Sequence, residues 1–135
     1  MSDIVVTNIF IIIGVVAGGI IGFVSMLLSN KYFLRKQAAS DLRCAFTKIL
    51  SGIRTGKLSD ESDIRNFAIT SFDTHTFELE RFRFYIRDFD KEEYDKACEE
   101  YHNIIYMRPI NHGSNLPADK FYIEKVGAIL RFAKP

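Results

Sequence analysis

Between Ile4 and Leu28 the chain has no charged side chain: 18 residues are apolar, four are glycine, and Thr7, Asn8 and Ser25 are small and polar. A run of that kind is foreign to a wholly soluble protein or a disordered tail, and a single run does not make a polytopic transporter. No basic residue precedes it and no A-x-A-like cleavage site follows it, which, with its length, argues against a cleaved signal peptide. Cysteine is scarce too. Cys44 and Cys98 are too few for a disulfide framework, and both fall among apolar positions where a small buried hydrophobe is expected.

Missing motifs exclude several chemistries. The stretch IIIGVVAGGIIG lacks the G-x-G-x-x-G spacing of a dinucleotide-binding turn, and its flanks stay apolar. Neither C-x-x-C nor H-E-x-x-H occurs, so zinc could draw only on Cys98 and His102, four residues apart, with His75 or His112. A buried cysteine beside a histidine at the rim is the expected reading. The loop from Asn111 to Asn115 contains His112 and Ser114 but no nucleophile elbow. Glu78, Glu80, Glu92, Glu93, Glu99 and Glu100 stand among lysines and arginines, where carboxylates are solvated or ion-paired. Arg81, Arg83 and Arg87 cluster among aromatics and could take a phosphate or stack on rings. No motif with stacking aromatics accompanies the basic residues, which argues against nucleic acid. The expectation is a protein that is not an enzyme and carries no cofactor, metal site or catalytic residue.

What is present is a membrane anchor. Residues 4–28 as a helix reach roughly 37 Å, enough to cross a hydrocarbon core of about 30 Å with some tilt. Before the run stand only Asp3 and the α-amine, whereas Lys31, Arg35, Lys36 and Arg43 follow it. The positive-inside rule then puts residues 1–3 outside and the carboxy-terminal part in the cytoplasm, in a single pass. Residues 29–36 form a basic collar in which Lys31, Tyr32, Phe33, Arg35 and Lys36 meet the lipid surface. Gly14, Gly18 and Gly22 make two overlapping G-x-x-x-G steps, a flat stripe on which a second helix can pack closely.

Residues 37–135 read as a cytoplasmic all-α domain of four or five short helices. Ala38, Leu42, Ala45, Phe46, Ile49, Leu50 and Ile53 repeat at helical spacing, with Gly52 and Gly56 as stop signals. No proline separates this helix from the membrane segment, so the two either continue as one or bend at Ser29-Asn30. Ile64, Phe67, Ala68, Ser71 and Phe72 suggest a second helix. His75 to Phe89 fits a helix through Leu79, Phe82, Tyr85, Ile86 and Phe89, and fits a strand through Phe82, Phe84 and Ile86; length and the Glu-rich start favour helix. Asp90-Lys-Glu-Glu93 reads as the start of a helix with Tyr94, Ala97, Cys98, Tyr101 and Ile105 on one face. A loop over residues 107–117 precedes a last helix from Pro117 or Ala118 through Phe121, Ile123, Val126, Ile129, Leu130 and Ala133. Charge is segregated: residues 29–57 are net +6, residues 58–101 net −7 and residues 102–135 net +3. Ion pairs between the basic first helix and the acidic middle are expected.

The stretches ERFRFYIRDFDKEEYDKACEEYH and FYIEKVGAILRFAK resemble small uncharacterised bacterial proteins that join an amino-terminal anchor to a compact helical domain. The resemblance implies a bacterial inner-membrane setting and brings no activity or functional residues with it. The function expected is that of a membrane-anchored protein-interaction module, adaptor or regulatory, which can self-associate as a homo-oligomer through its transmembrane helix. The alternative is a small oligomeric membrane-active toxin or exclusion factor.

Overall fold

The computed structural model describes residues 2–106 and 115–134, with side chains excepted at residues 2–6, 105 and 106. The expected loop over 107–117 and the readings on Ile105 and His112 therefore lie largely outside the described residues. Among those described, every regular element is helical: α1 (Ser2–Arg54), α2 (Glu61–Thr70), α3 (Phe72–Arg83), α4 (Lys91–Tyr106) and α5 (Ala118–Leu130), with a 3-10 turn at Asp88–Asp90 before α4. Helix is assigned without interruption through Ser29 and Asn30. The chain divides into two compact units, Met1–Leu34 and Arg35–Pro135.

The first unit is the apolar part of α1. An 18-residue window there has a mean hydropathy of 2.6, and none of it is buried. The large apolar side chains from Ile9 to Leu28 are all exposed, between 46 % and 70 %. One helix is thus long and apolar enough to cross a membrane.

In the second unit the end of α1 contributes Ala38, Leu42, Phe46, Ile49 and Ile53 to the core. Their three- and four-residue spacing makes one inward stripe, the period of an α-helix. Cys44 sits about 200° round the helix from both Leu42 and Phe46, and it is exposed, not buried as its apolar neighbours suggested. Past Arg54 the chain turns on Gly56, whose φ of +74° is the left-handed value that ends helices. Its amide donates to the Ile53 carbonyl (3.1 Å), and the Leu58 amide donates to that of Gly52 (3.0 Å).

α2 buries Ile64 and Ala68, and α3 buries His75, Leu79 and Phe82. α3 stops at Arg83, six residues short of the expected helical stretch. Ile86 is drawn into the core, while Phe84 and Phe89 stay 84 % and 74 % exposed. The structure thus corrects both readings over residues 84–87, which form a turn and bend, while 88 and 89 belong to the 3-10 turn before α4. α4 turns Tyr94, Ala97, Tyr101 and Ile104 inward, and Cys98 is half-buried. α5 buries Val126 and Ile129, with Ala133 just beyond it, on the expected face, but it is Tyr122 that goes inward at the start of the helix, while Phe121, Ile123 and Leu130 are half-buried. α4 packs on α2, α3 and α5, and α5 also meets α2.

Candidate functional site

Gly14, Gly18 and Gly22 lie in the first unit, and a Cβ added at any of them would meet nothing within 4 Å. Lys31, Tyr32, Phe33 and Lys36 are exposed, whereas Arg35, the first residue of the second unit, is half-buried.

His75 is fully buried, with no exposed surface. Its Nε2 is 3.0 Å from the Ala45 carbonyl, which can only accept, so Nε2 carries the hydrogen. Nδ1 then accepts from the Tyr101 hydroxyl at 2.6 Å, and the Tyr122 hydroxyl donates to the Tyr101 oxygen at 3.4 Å. The imidazole stacks on Phe46, with centroids 4.3 Å apart and planes 25° apart. One neutral network thus ties α1, α3, α4 and α5 together. Burial lowers the His75 pKa, the bond to Ala45 opposing it in part, and burial pushes the Tyr101 hydroxyl up to about 12. With both ring nitrogens engaged, His75 is unavailable as a metal ligand. Nothing in the local spacing distinguishes this histidine from a ligand; its partners lie at positions 45 and 101.

Cys98 and His102 do line one cleft, beside Glu80, Arg83, Asp95 and Glu99. Burial pushes the Cys98 thiol up to about 12, so it remains protonated at neutral pH, a poor ligand and a poor nucleophile. Among the described residues, no group of three or more His, Cys, Asp or Glu side chains could hold a metal ion.

The arginine cluster is dispersed. Arg81 pairs with Asp41 at 2.8 Å and Glu78 at 3.5 Å, Arg83 with Asp95 at 2.6 Å, and Arg87 with Asp90 at 3.2 Å. The hydrogen-bonded pair with Arg83 holds the Asp95 carboxyl below its ordinary range. The pairing between α1 and the acidic middle also runs opposite to the net charges, because Asp41 is the acid and Arg81 the base. The acidic middle pairs instead with α5 and its tail, through Lys125–Glu100 (2.9 Å) and Arg131–Glu93 (2.5 Å).

Arg87 joins a different set. A cleft of about 410 Å³ is lined by Arg35 of α1, Ile86, Arg87 and Asp90 between α3 and α4, and Arg131, Phe132 and Lys134 at the end of α5. The carboxy-terminal segment is held there by the Arg43 Nε–H donating to the Ala133 carbonyl at 2.6 Å, with Ala133 fully buried. A cleft of about 420 Å³ beside Cys44 offers Asp41 and Glu78 against Lys48 and Arg81, and that beside Cys98 is acidic. The one at Arg35 has four cationic side chains and one acidic one. Of its residues, sequence reading singled out Arg35 and Arg87 for separate reasons; Arg131 and Lys134 carried no local signal. Comparison with family models, with curated proteins and with solved structures finds no match for this chain.

Proposed function

We propose that this chain is a single-pass membrane protein of a bacterial inner membrane, with its amino terminus outside and its helical domain in the cytoplasm, where that domain binds another protein as an adaptor or regulatory module. The observation that carries this reading is the charge-free apolar stretch of α1, none of whose most apolar window is covered by the rest of the chain. Anchoring confines the domain to a surface and raises its effective concentration for partners on the same surface. The excess of basic residues after the stretch supports the orientation.

Cys44 supplies the test. It is exposed, while Cys98 is half-buried with its thiol pushed up to about 12, so a maleimide reacts first at Cys44. In intact cells a membrane-impermeant maleimide should leave the protein unlabelled, and permeabilisation should bring full labelling that a Cys44→Ser variant lacks. Labelling of intact cells at Cys44 would overturn the orientation.

Self-association through Gly14, Gly18 and Gly22 is part of the proposal. Gly18→Leu places a branched side chain where a partner helix would pack, and nothing in the chain itself obstructs it. Crosslinked dimer in membranes should fall several-fold with no loss of membrane-bound protein. Unchanged crosslinking would remove the stripe from the account.

A further inference from the structure

We propose that the cleft between Arg35, Arg87, Arg131 and Lys134 binds the phosphate of an anionic phospholipid headgroup. The proposal rests on the membrane reading given above. Four cations line one concavity with a single carboxylate, Asp90, an excess that suits an anion. Arg35 and Lys134 have no ion-pair partner among the described residues.

The other two cations are aimed rather than silenced. Arg87 gives its Nε to Asp90 at 3.2 Å and lies over the Phe89 ring at 4.4 Å. Arg131 gives one terminal nitrogen to Glu93 and lies over Phe132 at 4.7 Å. A guanidinium has five N–H donors in a rigid fork, so each keeps donors for phosphate oxygens while its position is set by the acid and the ring.

Two further observations favour a lipid over a soluble phosphate. The segment that lines the cleft carries Phe84 and Phe89, 84 % and 74 % exposed, large rings whose exposure water does not reward but a bilayer interface does. Arg35 follows Leu28, the last residue of the apolar run, by seven positions. Even fully extended, that connection keeps the first cation of the cleft within about 25 Å of the end of the run. Interfacial rings beside clustered basic groups are the composition of a headgroup site.

The test uses the full chain in a neutral detergent, titrated with dihexanoyl phosphatidic acid, with inorganic phosphate, and with neutral dihexanoyl phosphatidylcholine. Phosphatidic acid should saturate, phosphatidylcholine should not, and Arg35→Gln with Lys134→Gln should weaken phosphatidic acid at least tenfold. A control pair with the same loss of charge outside the cleft, Lys57→Gln with Lys120→Gln, should bind as wild type does. Neither Arg35 nor Lys134 is needed for an ion pair, and an unchanged tyrosine near-ultraviolet circular dichroism spectrum verifies that the variant is folded. Saturation by inorganic phosphate as tight as that by the lipid overturns the lipid assignment in favour of a soluble phosphate. Equal loss in the control pair, or no saturation by either ligand, overturns the site. Failure of the membrane reading shows separately, as protein recovered in the aqueous fraction of lysed cells.

Discussion

On the proposed membrane reading, arginine at Ile12, Val16 and Ile20 together should keep the protein out of the membrane, whereas Val16→Arg alone should leave it inserted. The residues from Ile4 to Leu28 include seven isoleucines, five valines, two leucines and two phenylalanines. Each favours insertion by roughly 0.3–0.6 kcal/mol near the centre of a span, about 5–10 kcal/mol together. One arginine costs roughly 2.5–3.5 kcal/mol there, which the remaining side chains offset. Three cost about 10 kcal/mol once the lost apolar groups are included, and the balance turns against insertion. Alkaline carbonate extraction reads the outcome: single variant in the pellet, triple variant in the supernatant or in aggregates. Carbonate-resistant triple variant would mean that something other than this stretch holds the protein to the membrane.

His75→Ala should destabilise the helical unit by about 3–5 kcal/mol, because it opens a cavity against Phe46 and leaves the Tyr101 hydroxyl buried without its acceptor. For a unit of about a hundred residues that lowers Tm by roughly 15–25 °C. With no tryptophan in the chain, near-ultraviolet circular dichroism follows the packed tyrosines directly. His75→Gln, whose amide can both donate to the Ala45 carbonyl and accept from Tyr101, should recover most of the loss. A drop of under about 1 kcal/mol for His75→Ala would show that the network contributes little.

The same group carries a pH dependence. Burial lowers the His75 pKa in the folded state, so the unfolded chain takes up a proton near pH 6.5 that the folded chain refuses. The stabilisation is fully present above about pH 6.5 and declines as pH falls toward the lowered folded pKa, by up to about 1.4 kcal/mol per pH unit. Urea unfolding at pH 7.5 and pH 5.5 should show that decline in wild type and a smaller one in His75→Gln. Equal declines would assign the effect to other groups.

Much of the helical unit was legible because its helices are amphipathic. Of the positions that recur every three or four residues from Ala38 to Ile53, α1 buries Ala38, Leu42, Phe46, Ile49 and Ile53 and leaves Ala45 and Leu50 half-buried, since water drives one stripe of each helix inward. The same logic failed at Cys44, which has apolar neighbours in sequence but stands on the opposite side of the helix. It failed again over residues 84–89, where an aromatic-rich stretch looked like core. α3 ends first, and two of those rings face outward. Net charge by segment also misled, since Asp41 with Arg81 is a matter of two positions meeting, which segment totals do not describe.

The sequence by itself determined an apolar run of membrane-spanning length and the inward face of most of the helices after it, because both follow from local composition and period. Only the tertiary structure decided which faces meet. It gave His75 its partners at positions 45 and 101 and Tyr101 its own at position 122, and it gathered Arg35, Arg87, Arg131 and Lys134 around one cleft. A helical period settles which side of each helix leaves water, but the neighbour and the register it finds there depend on how all the side chains fill the core at once.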